Sequence, residues 1–325
     1  MPDRPPLAAI AVTGLRKSFG EHTVLAGIDL EVPAGTVFSL LGPNGAGKTT
    51  AVNILTTLIR ADAGEVWVGG HSVTREPDAV RAAIGVTGQF SAVDPLLTGE
   101  ENLALMGDLH HLPRRETRRR TTELLQRFDL ADAAGRQAAG YSGGMTRRLD
   151  LAMSLIGEPR ILFLDEPTTG LDPRSRRTMW QVIHDLAASA VTVFLTTQYL
   201  DEADRLADRI ALLDHGTVVA EGTPDELKRL VPGGHISLQF ADTTVLDAAA
   251  HALGDIPRDH DSLTLQIPSD GSVASLKALL DRFDDRSIAV QKLSIHTPDL
   301  DDVFFALTGY TNAGASAGEE KVTTP

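Results

Sequence analysis

From residue 8 to about 230 the chain alternates short apolar runs of β type with helical stretches. That alternation predicts a largely parallel sheet covered by helices. Four runs read as buried strands: Val37–Leu41, Ile84–Thr87, Ile161–Leu164 and Val191–Thr196. Each is followed by polar residues, and in open α/β sheets ligands bind outside that carboxyl edge. Between about 90 and 158 the pattern changes. Leu103, Leu105, Leu109, Leu112, Leu124, Leu125 and Leu130 stand among charges with no β-rich run, which predicts an inserted helical subdomain.

Past Leu230 the pattern breaks at Pro232-Gly233-Gly234, and a small α+β domain is expected over 233–309. Its predicted strands are His235–Phe240, Ser262–Ile267 and Ile288–His296. Its predicted helices are Val245–Leu253, Ser272–Phe283 and Pro298–Leu307. The last helix has Thr297 as its N-cap, Pro298 at the first position and Gly309 as its stop. Leu300, Val303, Phe304 and Leu307 give it one apolar face. Residues 1–7, rich in proline, and 310–325, small and polar, are expected to be disordered.

Composition narrows the classes. With 325 residues, 42% hydrophobic and 23% charged, the chain reads as globular, with room for one large domain and a smaller one. It has no cysteine, so disulfides, thiolate metal sites and cysteine nucleophiles are excluded. No run approaches the roughly 18 apolar residues of a membrane span. The N-terminal stretch lacks a signal-peptide core, so the chain is expected to stay in the cytosol. A net charge of −14 argues against nucleic-acid binding. Arg114, Arg115, Arg118, Arg119 and Arg120 form a local exception, either a solvated helix face or an attraction for anionic headgroups.

Three motifs carry chemistry, and each occurs once. Gly42-Pro43-Asn44-Gly45-Ala46-Gly47-Lys48-Thr49 fits the phosphate-binding loop GxxxxGK[ST], between a predicted strand and a helical stretch from Val52 to Leu58. Its glycines let backbone N–H groups converge on phosphate oxygens at a helix N-terminus. Lys48 would bridge β- and γ-phosphates, Thr49 would ligate Mg²⁺, and Thr50 completes the binding set. Ile161 to Glu166 is an apolar strand ending in two acids. Asp165 would hold Mg²⁺ through water and Glu166 would polarise the attacking water. Tyr141-Ser142-Gly143-Gly144-Met145 precedes a helical run from Thr146 to Ile156, so two glycines open a second anion site.

Taken in chain order, the phosphate loop, Gln89, Ser142-Gly143-Gly144, Asp165-Glu166 and Gly170-Leu171-Asp172 resemble the motifs of the ATP-binding cassette (ABC) family over residues 8 to about 230. The resemblance implies a P-loop ATPase fold with a mixed sheet and a helical insert. It also implies a homodimer in which two cassettes pair head to tail. Each ATP would lie between one copy's phosphate loop and the other's Ser142, Gly143 and Gly144. Gln89 would sense Mg²⁺ and the attacking water, Asp172 would couple the two sites, and Phe19 would stack on adenine or else sit in the core. No Asn-Lys-x-Asp sequence is present for guanine, so ATP is favoured. One departure is clear: where the family places a γ-phosphate histidine, the chain has Gln198, which can hydrogen-bond but carries no proton charge. Slower hydrolysis is a consequence to test.

The segment Gly85–Asp94, Gln198, and the run from Thr297 to Gly309 together resemble the daunorubicin-resistance type of drug exporter. That likeness implies a separate multi-spanning permease, export of a hydrophobic antibiotic or lipid, and a place on the cytoplasmic face of the cell membrane. The C-terminal segment would help assemble the complex. The alternative is a soluble cassette ATPase acting on ribosomes or DNA. Against it stand the single cassette and the lack of a long coiled-coil insertion.

Overall fold

The computed structural model describes residues 8–231, 234–254, 256–269, 272–296 and 298–308. They form two compact units that divide between Pro224 and Asp225. The first begins with β1 (Ala8–Phe19), β2 (His22–Pro33), β3 (Val37–Leu41), α1 (Lys48–Leu55), β4 (Ala63–Val68), β5 (His71–Ser72), α2 (Pro77–Ala83) and β6 (Ile84–Thr87). A helical segment follows: α3 (Gly99–Leu109), α4 (Arg114–Arg127) and α5 (Gly143–Ser154). The unit then runs through β7 (Ile161–Asp165), α6 (Pro173–Ala188), β8 (Thr192–Thr197), α7 (Leu200–Leu206), β9 (Arg209–Asp214) and β10 (Thr217–Gly222).

Strands β9, β3, β8, β7 and β6 pair in parallel in that order, and β10 joins the β9 edge antiparallel. Every residue of β3, β7 and β8 is buried, because helices or strands cover both faces. Across neighbouring strands Phe38 stacks on Phe194 at 5.6 Å and Phe163 meets Phe194 tilted at 5.5 Å, and the three join the core of Val12, Leu15 and Ile28. The alternate residues Val37, Leu162, Leu164, Val193 and Leu195 join Leu149, Met153, Met179 and Ile183 from the helices. Each such side chain stabilises the fold by about 1.5–3 kcal/mol through burial.

A second sheet, β2-β1-β4-β5, is antiparallel throughout. The expectation of a largely parallel sheet therefore covers one of two sheets in this unit. The reason is local: β1 and β2 shift register at four points, between Val12 and Leu15 for example, so period-two alternation is broken. In the helical segment Thr98 and Glu101 form a capping box for α3. Leu103, Leu124, Leu125, Phe128 and Leu130 share a core with α5. Leu105 and Leu109 are exposed. Of the arginine cluster, Arg119 and Arg120 are paired with Glu116 at 2.6 Å and also reach Glu158.

The second unit begins within α8 (Pro224–Lys228). Its elements are β11 (His235–Gln239), α9 (Thr243–Ala252), β12 (Arg258–Asp259), β13 (Thr264–Pro268), α10 (Val273–Asp284), β14 (Lys292–His296) and α11 (Leu300–Thr308). The sheet order is β12-β13-β11-β14, all antiparallel. Ile236, Leu238, Phe240 and Leu265 pack on Leu246, Leu279 and Phe283. Strand β14 begins at Lys292 rather than Ile288, and α11 begins at Leu300, burying Leu300 and Val303. The expected break at Pro232-Gly233, the Thr297 cap, the Gly309 stop and the two disordered ends lie outside the described residues. Among the described residues no helix is long and apolar enough to cross a membrane.

Candidate nucleotide site

Strand register brings the motifs to one edge. Leu41 lies opposite Thr197, Asp165 opposite Thr196, and Leu164 opposite Thr87. The phosphate loop, Glu166, Gln198 and Gln89 thus all leave the parallel sheet at its carboxyl edge. The loop's glycines are there for space and for backbone shape. A Cβ on Gly42 would overlap the Leu213 carbonyl oxygen. Gly47 has φ +111°, and a Cβ there would meet Leu25 Cδ2 at 2.8 Å and Val24 O at 2.9 Å. Since Gly47 can turn in this way, α1 begins at Lys48, four residues before the apolar stretch at Val52.

Lys48 is 5% exposed, and its Nζ donates to Gly42 O at 2.8 Å and Pro43 O at 3.1 Å. The same Nζ stands 3.6 Å from Glu166 Oε1. Burial lowers its pKa, against the opposing pull of Glu166 and Asp165. Glu166 has φ +48°, a left-handed conformation rare outside glycine. Its N–H donates to Thr196 O at 3.2 Å and Thr196 Oγ1 at 3.1 Å, which holds the turn. Its Oε2 accepts from Thr169 Oγ1 at 3.1 Å. Asp165 is buried at the end of β7 and accepts from Thr196 Oγ1 at 2.5 Å.

A cleft of about 480 Å³ is lined by Phe19, Asn44, Gly45, Gly47, Lys48, Thr49, Thr50, Gln89 and Glu166, with His22 and Val24. Phe19 is 53% exposed at the end of β1, not a core residue, and Lys17 Nζ lies 5.3 Å from its ring centroid. Gln198 is half-buried after β8 and does not line the cleft. Nor do Ser142, Gly143, Gly144 and Asp172. Those four sit together elsewhere in the chain. Ser142 caps α5 by accepting from Met145 N, and Asp172 caps α6 by accepting from Arg174 N and Ser175 N. Ser175 Oγ donates to Asp172 Oδ2 at 2.6 Å, and a Cβ on Gly144 would press on the same hydroxyl.

Among the described residues no cluster of three or more His, Asp or Glu can hold a metal alone. Thr49 and Asp165 offer a hydroxyl and a carboxylate, the hard oxygens of an Mg²⁺ site completed by substrate phosphates and water. Their donor chemistry fits that ion, and the glycine cradle around Lys48 fits the phosphates.

Sequence reasoning missed Thr196, Arg147, Asp150 and Glu202. Glu202 is fully buried, accepting from Thr168 Oγ1 at 2.7 Å and Trp180 Nε1 at 3.1 Å, and burial raises its pKa. Asp150 had a signal: it is a lone charge inside Leu149–Ala152, three residues after Arg147.

A strand-loop-helix phosphate cradle after β3, two acids at the end of β7 with β8 between the two strands, and a second glycine-opened helix define a P-loop nucleotide hydrolase. Residues 25–169 match the ABC transporter family. The daunorubicin resistance ATP-binding protein DrrA2 of Streptomyces coeruleorubidus is 48% identical, covering 96% of this chain and 98% of that one. The daunorubicin/doxorubicin resistance protein DrrA of Streptomyces peucetius is 46% identical, covering 98% of each. The ADP form of the ATP-binding cassette MJ1267 superposes with a TM-score of 0.62 at 25% identity, over 68% of this chain and 92% of that chain. A dimeric post-hydrolysis structure of the cassette MJ0796 with ADP and Pi gives 0.60 at 28% identity, over 66% of this chain and 98% of that chain. The chain belongs to the ABC transporter family, as an ATP-hydrolysing subunit of the daunorubicin-resistance type. Subunits of this kind dimerise and work with a membrane permease.

Proposed function

We propose that two copies of this chain pair head to tail, bind two ATP molecules with Mg²⁺, and drive efflux of a hydrophobic drug or lipid through a separate permease. The observation that carries this reading is a division within the chain. Lys48, Thr49, Gln89 and Glu166 line one cleft, whereas Ser142, Gly143 and Asp172 are exposed and stand outside it. A second copy supplies the missing side. The loop amides and Lys48 bind the phosphates, and the exposed Phe19 ring offers a stacking face for the base. Thr49 and Asp165 would hold Mg²⁺, which would supply charge neutralisation at the phosphates. Glu166 accepts hydrogen bonds from the attacking water, Gln89 and Gln198 orient it, and Asp172 links the two sites across the interface. ATP binding favours the paired state, and hydrolysis removes that bias.

The relatives are named for drug resistance, which favours export over action on ribosomes or DNA. The same likeness supports a working complex at the cytoplasmic face of the cell membrane. The test is Glu166→Gln, tagged and solubilised gently from its own cells with ATP and Mg²⁺. A multi-spanning membrane protein co-purifying in comparable amount supports the reading. Ribosomal or DNA-associated proteins with nothing from the membrane overturn it.

A further inference from the structure

The helix capped by Ser142 carries a buried ion pair one turn further on. Arg147 and Asp150 stand three residues apart on α5, with Nη1 and Oδ2 at 3.1 Å. Their side chains are 11% and 3% exposed. Burying both charges is unfavourable unless their polar atoms are satisfied, and here the bonds go to two other parts of the chain. Arg147 Nη1 donates to Gly88 O at 2.9 Å, Nε to Pro167 O at 2.9 Å, and Nη2 to Asp165 O at 3.1 Å. Asp150 Oδ1 accepts from Ala92 N at 3.0 Å. The pair therefore holds Gly88 and Ala92, at the two ends of the segment Gln89-Phe90-Ser91, and both neighbours of Glu166. Only a planar guanidinium fork, with five donors in fixed directions, spans three carbonyls at once.

We propose that Arg147 and Asp150 are positioning residues that lock the Gln89 loop and the Glu166 turn to the helix opened by Ser142, Gly143 and Gly144. Arg147 lies three positions after Gly144, about 4.5 Å of axial rise, so the link is short and stiff. Engagement of Ser142–Gly144 by the partner copy's nucleotide then sets the water-orienting groups of this copy's own cleft. This rests on the site assignment proposed above, and the test separates the two.

The variants are Arg147→Lys, which keeps the charge and loses the fork, and Asp150→Asn, which keeps an acceptor for Ala92 N–H. Each is made in the full chain, beside Glu166→Gln. Melting temperature, equilibrium ATP affinity, KM and kcat are measured. The expected result for Arg147→Lys is a kcat lower by about tenfold to a hundredfold, with ATP affinity and KM within about twofold, as for misplaced hydrolytic groups. Asp150→Asn moves in the same direction with a smaller loss. A kcat within about twofold of the parent in both variants overturns the proposal, as does a parallel fall of kcat and ATP affinity. If Glu166→Gln itself hydrolyses ATP at the parent rate, the site assignment fails instead.

Discussion

Thr196 offers a sharp test of how the two acids are held. It is fully buried on β8, and its hydroxyl donates to Asp165 Oδ1 at 2.5 Å while accepting from Glu166 N at 3.1 Å. Thr196→Val preserves shape and removes only that hydroxyl, so no cavity opens. Asp165 is 3% exposed, so it loses a donor that water does not readily replace. A hydrogen bond to a charged group contributes about 1.5–3 kcal/mol. In a unit of this size the melting temperature should fall by about 3–12 °C. Glu166 N–H keeps the Thr196 carbonyl at 3.2 Å, so its left-handed turn loosens but survives. Turnover should drop by about tenfold, with ATP affinity preserved. Thr196→Ser restores the hydroxyl and should recover most of the turnover. Thermal melts followed by circular dichroism, together with steady-state ATPase assays, measure both effects. A Thr196→Val protein that melts and turns over like its parent would refute the reasoning.

Three further outcomes are expected. Burial holds the Glu202 pKa above that of an ordinary carboxylic acid, so its contribution is fully present at acid pH and is lost as pH rises through that raised value. Glu202→Gln should therefore gain stability relative to the parent as pH rises above the ordinary glutamate value of about 4.3, read as urea midpoints; a constant or shrinking difference contradicts this. Gly47→Ala forces a Cβ into Leu25 and Val24 at φ +111°, so it should cost stability and abolish ATP binding. Strain alone accounts for about 1–3 kcal/mol of that cost, and an unaltered melt and ATP affinity would be the contrary result. Gln198→His should retain or raise ATPase activity; a large loss with an intact fold removes Gln198 from the site.

Much of the parallel core was legible because its strands are apolar on both faces. Val37–Leu41 and Ile84–Thr87 match to the residue, and Ile161–Leu164 extends by one. The antiparallel sheet was not, since bulges in β1 and β2 scramble the alternation that marks a half-buried strand. Helix starts were misread wherever glycine opens the helix. Helix α5 begins at Gly143 and α1 at Lys48, both ahead of the first apolar residue. The cleft's glycines and Lys48 were visible because phosphate chemistry demands fixed spacing. Thr196 and Arg147 were not, because they reach the two acids and Pro167 from 18 or more positions away in the chain. No local spacing encodes such contacts.

The central claim is that each site is built from two copies, and complementation tests it directly. Two variants are made in the Glu166→Gln background, which keeps bound ATP from being hydrolysed. Lys48→Ala removes the phosphate lysine. Gly143→Asp places a negative charge at an exposed position where an added Cβ meets nothing within 4 Å, so the fold is spared. The two chains are co-expressed, and the ATP retained after gel filtration is measured. The account predicts that neither variant alone retains ATP, whereas the mixture does, since one of its two sites joins an intact Lys48 to an intact Gly143 from the other chain. A mixture that retains no more than its parents, beside a Glu166→Gln control that does retain ATP, would contradict the account.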